Sequence, residues 1–472
     1  MRHFTYRSLA ELKEDAARLG TQHVHFLEDS DGIRAALSRP VDVGGFRVGN
    51  SIAIHPMEGC DGTLDGNPGE LTFRRYTRFG YGGAKLIWFE ATAVRDEGRA
   101  NTRQLAIHEG TLKELARLLE VTLEAHRKEF GSADDVLAPL QLTHSGRYSV
   151  PKRIIANANP VVNAKFGMPA DYPIISDEEL ERLEDDYVAA AKLAYKAGFR
   201  AVDVKATHGY LLFELLGARL RPGKYGGSLE NRTRFLRNVL AKIRNEFGDR
   251  MLLTMRLGCY EGVPFQRDPQ TGLGVPLPYS TPYEHGFGND VNNPMQEDLT
   301  EVKQAIAGFR EAGLQLLNVS LGSPYFNPHI GRPFEKPDDG NYESPEHPLL
   351  GVDRHFRIAG ELQRAFPDLP MVGTGYSWLQ IYAIHAGASN VADGSIRFFG
   401  MGRNALAYPE FARDALRTGV LDDKRVCRTV TFCTYLMRQK HNELGQFETG
   451  CPPYDKEVYG PVIKLARQTK PK

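Results

Sequence analysis

The sequence predicts an α/β fold: a TIM (β/α)8 barrel with an N-terminal preamble and a C-terminal extension. Three observations predict it. From Val41 onward, short apolar runs alternate with longer stretches of helical period. The apolar runs number eight, which is the count that closes a barrel. Four consecutive runs carry polar residues on one face near their C-terminal ends, where barrels of this kind carry out chemistry.

The eight strand candidates are residues 51–54, 86–91, 136–142, 201–204, 252–257, 316–319, 371–373 and 398–400. In the preamble, residues 1–40, Ser8 is placed to cap a helix over 9–19 that Gly20 stops. Helical spacing covers 111–130. Ser176-Asp177-Glu178-Glu179 reads as a capping box opening a helix that ends near Gly198. Further helices fit 235–247 and 299–312. The barrel spans 41–420 and the extension 421–472. The irregular stretch 262–297 is rich in Pro and Gly and follows a strand's C-terminal end. It reads equally as a cover over a site and as a surface insertion without function.

The 472 residues suit one barrel plus extensions, and an apolar content of 41 % supplies a large core. The 59 basic and 59 acidic residues balance, which leaves no footprint for nucleic acid or for an anionic membrane. The opening Met1-Arg2-His3-Phe4 lacks the apolar stretch of a secretion signal, and no apolar run approaches a membrane span. The five cysteines show no secreted disulfide pattern. These features together predict a cytoplasmic protein acting on a small molecule.

Alternation along the strands places specific polar groups on the barrel axis. Leu140 and Leu142 share one face and Gln141 takes the other. Val202 and Val204 oppose Asp203 and Lys205. Thr254 and Arg256 share a face, as do Asn318 and Ser320. Burying such groups without partners costs about 2–7 kcal/mol each. A few could pair as core hydrogen bonds; four strands together point to a site. Two glycine clusters, Gly373-Thr374-Gly375 and Gly400-Met401-Gly402-Arg403, follow the seventh and eighth strands. Loops there commonly hold a phosphate on exposed backbone N–H groups, and Arg403 adds a bidentate cation.

The stretch Ala206-Thr207-His208-Gly209-Tyr210-Leu211-Leu212, followed by Tyr225-Gly226-Gly227-Ser228-Leu229-Glu230-Asn231-Arg232, resembles the signature of the old yellow enzyme family (NADH:flavin oxidoreductases). Pro56-Met57, Phe89-Glu90-Ala91-Thr92-Ala93-Val94, Gln141-Leu142-Thr143-His144-Ser145-Gly146-Arg147 and Gly402-Arg403 add to the resemblance, in family order. It is nearest the branch with 2,4-dienoyl-CoA reductase and trimethylamine dehydrogenase, because the chain continues past the barrel with cysteines.

This resemblance implies FMN across the barrel top. Gln141 would hydrogen-bond its ring, and Arg256 would lie against the edge that becomes anionic on reduction. Pro56, Met57 and Ala91 would flank the ring. Gly373, Gly375, Gly402 and Arg403 would hold the phosphate. The family usually grips a substrate carbonyl with two histidines, or His and Asn, three residues apart; here the pair is Lys205 and His208. Asp203, on the face of Lys205, is placed to keep it charged. Tyr210 matches the tyrosine that protonates the α-carbon in many members; a core tyrosine at a strand–helix corner is the plainer reading. His208 is read as a carbonyl grip or as an orienting hydrogen bond only. Glu58 stands near the flavin's reactive edge, where many relatives carry Thr or Cys. Its carboxylate either repels the reduced anion, or binds an amine, or turns away.

Relatives with the extension bind a 4Fe–4S cluster through four cysteines. Here Cys427, Cys433 and Cys451 remain, and Val430 stands where trimethylamine dehydrogenase has a ligand. Three thiolates fall short of the full set, so neither a metal nor a cluster is expected and NADH or NADPH is the expected electron donor. The predicted activity is reduction of the C=C bond of an α,β-unsaturated carbonyl compound, an ene-reductase reaction. The alternatives are a flavin-dependent amine dehydrogenase, with Glu58 or Asp203 near the amine, a Schiff-base lyase built on Lys205, and a flavin-binding barrel that has lost its chemistry. Family members are often homo-oligomers.

Overall fold

The computed structural model describes residues 4–337, 341–441 and 443–469. Its central sheet is parallel and closes on itself. The strands, first to eighth, are Ile52–Ile54, a second in two pieces (Leu86–Ile87 and Phe89–Ala93), Pro139–Thr143, Ala201–Val204, Leu252–Tyr260, Leu316–Leu321, Met371–Gly373 and Phe398–Met401. Each pairs in parallel with its neighbour in the chain, and the eighth returns to the first. The second strand closes the ring, its two pieces pairing with the first and third strands respectively. All eight expected strands are present. The fifth and sixth run beyond their apolar stretches, to Tyr260 and Leu321, because the ladder between them continues past the polar residues. The third starts only at Pro139; Leu137 joins the sheet by a single bridge to Leu86.

Eight helices follow the strands in turn: Glu70–Gly80, Leu112–Phe130, Asp177–Lys196, Leu229–Phe247, Thr300–Glu311, Pro348–Ala365, Ala383–Ala392 and Phe411–Thr418. The fourth begins six residues before the apolar pattern suggests. Its true start is Ser228, whose hydroxyl accepts the Asn231 N–H at 3.3 Å. The preamble helix is Leu9–Arg18, capped by Ser8 as its sequence predicts. A second helix, Ser30–Leu37, packs on Ala383–Ala392 and Phe411–Thr418. Among the described residues no helix is long and apolar enough to cross a membrane.

The barrel interior is layered, because residues two apart on a strand share a face. The lowest layer is apolar, with Ala53, Trp88, Ala201, Leu252, Leu316 and Phe398 among its members. A hairpin of Val41–Val43 and Phe46–Val48 closes that end, burying Val43 and Val48 completely. Two residues further along, the inward positions turn polar. Gln141, Asp203 and Thr254 stand side by side in register. The layer above contains Lys205, Arg256 and Asn318, the last two again register partners. The opposite faces, including Val202, Val204, Leu253, Met255, Leu317 and Val319, bury against the helices.

Much of the family signature is scaffold. Arg232 donates to the Gly227 carbonyl at 3.0 Å and to Glu301 at 2.6 Å, tying the loop after the fourth strand to the next helix. Tyr225 donates to Glu184 at 2.8 Å. Arg147, 1 % exposed, donates to Glu214 at 2.5 Å and to the Asn157 carbonyl at 2.9 Å. Residues 262–297 form a hairpin, Phe265–Arg267 with Gly274–Pro276, on a satellite core of Val263, Phe265, Tyr283, Phe334 and Tyr342. The C-terminal segment has its own small core of Leu436, Phe447, Tyr459 and Ile463. Asp455 anchors it to Arg74 and Arg78 at 2.6 and 2.8 Å. The Thr449 N–H donates to the Gly59 carbonyl at 2.7 Å, so the segment lies against the loop after the first strand.

Arg147→Ala strips the buried Glu214 of its cation and is expected to destabilise the fold by about 3–5 kcal/mol. Urea unfolding measures this; a loss below about 1 kcal/mol, the worth of a surface pair, contradicts the buried-pair assignment.

Candidate active site

The lower polar layer satisfies itself. The Gln141 side-chain amide donates to one Asp203 oxygen at 2.7 Å, and the Thr254 hydroxyl donates to the other at 3.2 Å. Asp203 is fully buried, and desolvation raises its pKa against the pull of these hydrogen bonds. Both its oxygens are therefore committed one layer below Lys205. Asp203 favours the charged form of Lys205, as expected, and Glu58 favours it more strongly.

Lys205 is 5 % exposed. Its Nζ lies 3.6 Å from the centre of the Tyr210 ring and has no hydrogen-bond or ion-pair partner among the described residues. Burial brings its pKa down to about 7; Glu58 opposes that fall and Arg256 adds to it. Glu58 directly follows Pro56-Met57 and is partly buried. One of its oxygens accepts the Asn101 side-chain N–H at 2.5 Å. Burial raises the Glu58 pKa, and Lys205 opposes the rise.

His208 has left-handed backbone, φ 65°, fixed by the Ser323 hydroxyl donating to its carbonyl at 3.2 Å. Its Nε2 stands 3.4 Å from the Ser320 hydroxyl. Burial, with Arg256 and Lys205 nearby, holds the imidazole far below its ordinary pKa, so it is neutral. The Tyr210 hydroxyl is 2.9 Å from that of Tyr325, whose ring stacks on Tyr148 at 3.8 Å between centroids. Burial raises all three phenols, keeping them protonated. Thus Lys205, His208 and Tyr210 meet at the C-terminal mouth under a roof of tyrosines.

The seventh and eighth strands supply the opposite wall. A Cβ on Gly400 would lie 2.5 Å from the His55 imidazole and 2.6 Å from the Gly373 carbonyl oxygen. One on Gly402 would lie 2.9 Å from the Met57 sulfur. Gly375 has φ 95°, and the adjacent Thr374 hydroxyl is 2.8 Å from His355 Nδ1. Arg403 reaches the Pro333 carbonyl at 3.4 Å through one Nη. Ala91 is buried, its carbonyl accepting from Gln104 at 3.2 Å.

Among the buried polar atoms with no partner among the described residues are His55 Nε2, Asn318 Oδ1, Arg256 Nε and Arg403 Nη1. Asn318 and Arg256 lie on the sixth and fifth strands, His55 directly follows the first, and Arg403 follows the eighth by two residues. Buried groups of this kind are normally paired. Buried unpaired donors and an acceptor, with an arginine after the eighth strand, are groups that a polar, anionic ligand satisfies.

Sequence reasoning singled out neither His55 nor Asn101, Tyr148 and Tyr325. His55 was findable, since it continues the inward alternation from Ala53. Tyr325 sits in an aperiodic loop that offers no such signal. Cys427, Cys433 and Cys451 are free and partly buried, and burial raises the Cys427 and Cys451 thiols. Among the described residues no group of three or more His, Cys, Asp or Glu is placed to hold a metal ion.

Residues 36–268 match the NADH:flavin oxidoreductase / NADH oxidase family. An NADPH dehydrogenase of Clostridium acetobutylicum is 32 % identical over 201 residues, 41 % of this chain and 56 % of that relative, so the chain spans little more than half the relative's length. Among solved structures, an old yellow enzyme homologue from Zymomonas mobilis has a TM-score of 0.57 at 19 % identity, covering 89 % of this chain and 98 % of the other. A 2-naphthoyl-CoA reductase has a TM-score of 0.60 at 20 % identity, covering 81 % and 52 %. These two likenesses establish the shared barrel.

Gly400→Ala drives a methyl group into the His55 ring and the Gly373 carbonyl and is expected to cost about 1–3 kcal/mol. A urea midpoint equal to that of the unaltered protein contradicts the close packing of the first and eighth strands.

Proposed function

We propose, on the premise that residues 36–268 belong to the NADH:flavin oxidoreductase / NADH oxidase family, that the chain holds FMN at its barrel mouth. There it uses NADH or NADPH to reduce the C=C bond of an α,β-unsaturated carbonyl compound. The observation that carries this reading is the meeting of two sets of groups: the unpaired polar atoms of His55, Asn318, Arg256 and Arg403, and the Lys205, His208 and Tyr210 cluster beside them. Gln141, Arg256 and the backbone around Pro56, Met57 and Ala91 would hold the ring. Gly373, Gly375, Gly402 and Arg403 would hold the phosphate. Bound FMN supplies the hydride, taken from the nicotinamide.

The chain's own residues do the rest. Arg256 keeps a pKa of about 10 despite burial, so it is a cation at neutral pH and favours an electron-rich ring edge beside it. Lys205, as an ammonium, and neutral His208 grip the substrate oxygen, where negative charge develops as the β-carbon gains hydride. Tyr210 remains protonated and delivers its proton to the α-carbon; the Tyr325 hydroxyl, 2.9 Å away, is placed to replace it. One hydride and one proton saturate the bond.

Anaerobic titration of the purified protein with NADPH, then NADH, is expected to bleach the flavin's visible absorbance; yellow protein that neither donor reduces sinks the proposal. Lys205→Ala is expected to lower kcat for a small enone about 100- to 1,000-fold, as loss of an oxyanion donor does. Unchanged turnover would remove Lys205 from the oxygen grip.

A further inference from the structure

We propose that the ring of Tyr210 seats the Lys205 ammonium, which makes this tyrosine a positioning residue for the lysine through its ring face, apart from any service of its hydroxyl. The observation is a direct contact. Lys205 Nζ lies 3.6 Å from the centre of the Tyr210 ring, the shortest cation–ring approach among the described residues. The next, Arg425 over Tyr408 at 4.1 Å, belongs to an arginine that also pairs with Glu410. Lys205 has the ring in place of such an anion. The consequence for the carbonyl grip rests on the proposed function, while the seat itself stands on the geometry.

The chain builds this contact between residues 205 and 210. The Lys205 N–H donates to the Leu142 carbonyl at 3.2 Å, which fixes its backbone at the end of the fourth strand. His208 and Gly209 both take left-handed backbone, φ 65° and 72°. Two such residues in succession turn the chain back on itself. The Tyr210 N–H then donates to the Thr207 carbonyl at 3.3 Å, and the Tyr210 carbonyl accepts the Glu214 N–H at 2.9 Å as the helix Leu211–Leu216 begins. The ring is held at its rim as well. Its hydroxyl is 2.9 Å from that of Tyr325, and the Tyr148 ring packs at 5.5 Å between centroids. Tyr210 and Lys205 are both buried, so little water reaches either.

An ammonium taken out of water needs a negative partner. The face of a phenol ring carries negative potential and attracts a cation, most strongly where both are desolvated. The neighbouring groups do not take its place. Asp203 is committed to Gln141 and Thr254, and Glu58 accepts from Asn101 at 2.5 Å; neither is an ion-pair partner of Lys205 among the described residues. Arg256 repels the charge, and His208 is neutral. Around the Tyr210 ring stand Tyr148, Tyr325 and Glu58, with Arg332 toward His208 and Arg438 toward Tyr325. The seat has a chemical use. The carbonyl oxygen and α-carbon of an enone are two bonds apart, so a group gripping one and an acid serving the other need a fixed spacing. A lysine on a flexible four-carbon stem keeps that spacing only if something holds its end.

The decisive experiment changes the electrons of the ring and keeps its shape. Tyr210→Phe retains an aromatic face. A ring-trifluorinated phenylalanine at position 210 retains the ring, while its fluorines drain the face of negative potential. Lys205 is followed in the purified protein by NMR of lysine isotopically labelled at Cε, with Lys205→Arg identifying its signal. Losing an attraction for the ammonium lets the proton leave at lower pH. The Phe protein is expected to titrate close to the unaltered one, and the trifluorinated protein about one pH unit further toward acid. Equal midpoints in the Phe and trifluorinated proteins overturn the proposal. The alkaline limb of kcat/KM for a small enone is expected to move with the midpoint. A moved midpoint with an unmoved limb keeps the seat, and removes Lys205 from the proposed reaction instead.

Discussion

Everything at this barrel's mouth follows from one constraint: side chains two apart on a strand stack inward in layers, and each buried polar layer must find partners. The bottom layer is apolar and sealed by the Val41–Val43 hairpin, so nothing polar is required from below. The middle layer closes on itself through Asp203. The top layer does not close. His55, Asn318 and Arg256, which neighbour one another, each keep an unpaired buried atom, as does Arg403 after the eighth strand. Polar groups left unpaired there would cost several kcal/mol together, which a bound molecule with its own donors and acceptors would remove.

The chain divides between scaffold and chemistry in a way the motifs alone conceal. The most specific segment, Tyr225 to Arg232, spends its side chains on helix capping and on joining adjacent elements. Burial lowers the pKa of Lys205 and raises that of Glu58. Glu58 and, more weakly, Asp203 favour the charged form of Lys205. The Arg75, Asp61 and Glu90 cluster beneath the loop has no direct part in the grip, yet it fixes where the Glu58 backbone runs.

The fold was legible because the strands keep two strict periods, apolar alternation and an inward polar end, and neither depends on long-range detail. What escaped has physical reasons. The helix at Leu229 starts on polar residues, so its beginning is marked by the Ser228 cap and not by hydrophobic period. The helix Ser30–Leu37 and the sealing hairpin are short, with too few residues for periodicity to register. At the site, alternation placed Lys205, Asp203 and Arg256 on one face but gave no heights along the axis. Asp203 lies one layer below Lys205 and favours its charge less strongly than Glu58 does. Tyr325 and Asn101 reach the mouth from irregular loops, and only the folded chain brings them there.

The central claim is that the open polar layer is a cofactor seat with a phosphate site at the seventh and eighth strands. The most direct measurement is a crystal structure of the protein saturated with FMN. The account predicts the ring against Gln141 and Arg256 and the phosphate on the backbone of Gly375 and Gly402 beside Arg403. Density for FMN elsewhere on the barrel, or a mouth in which His55, Asn318 and Arg256 pair only with one another, would contradict it.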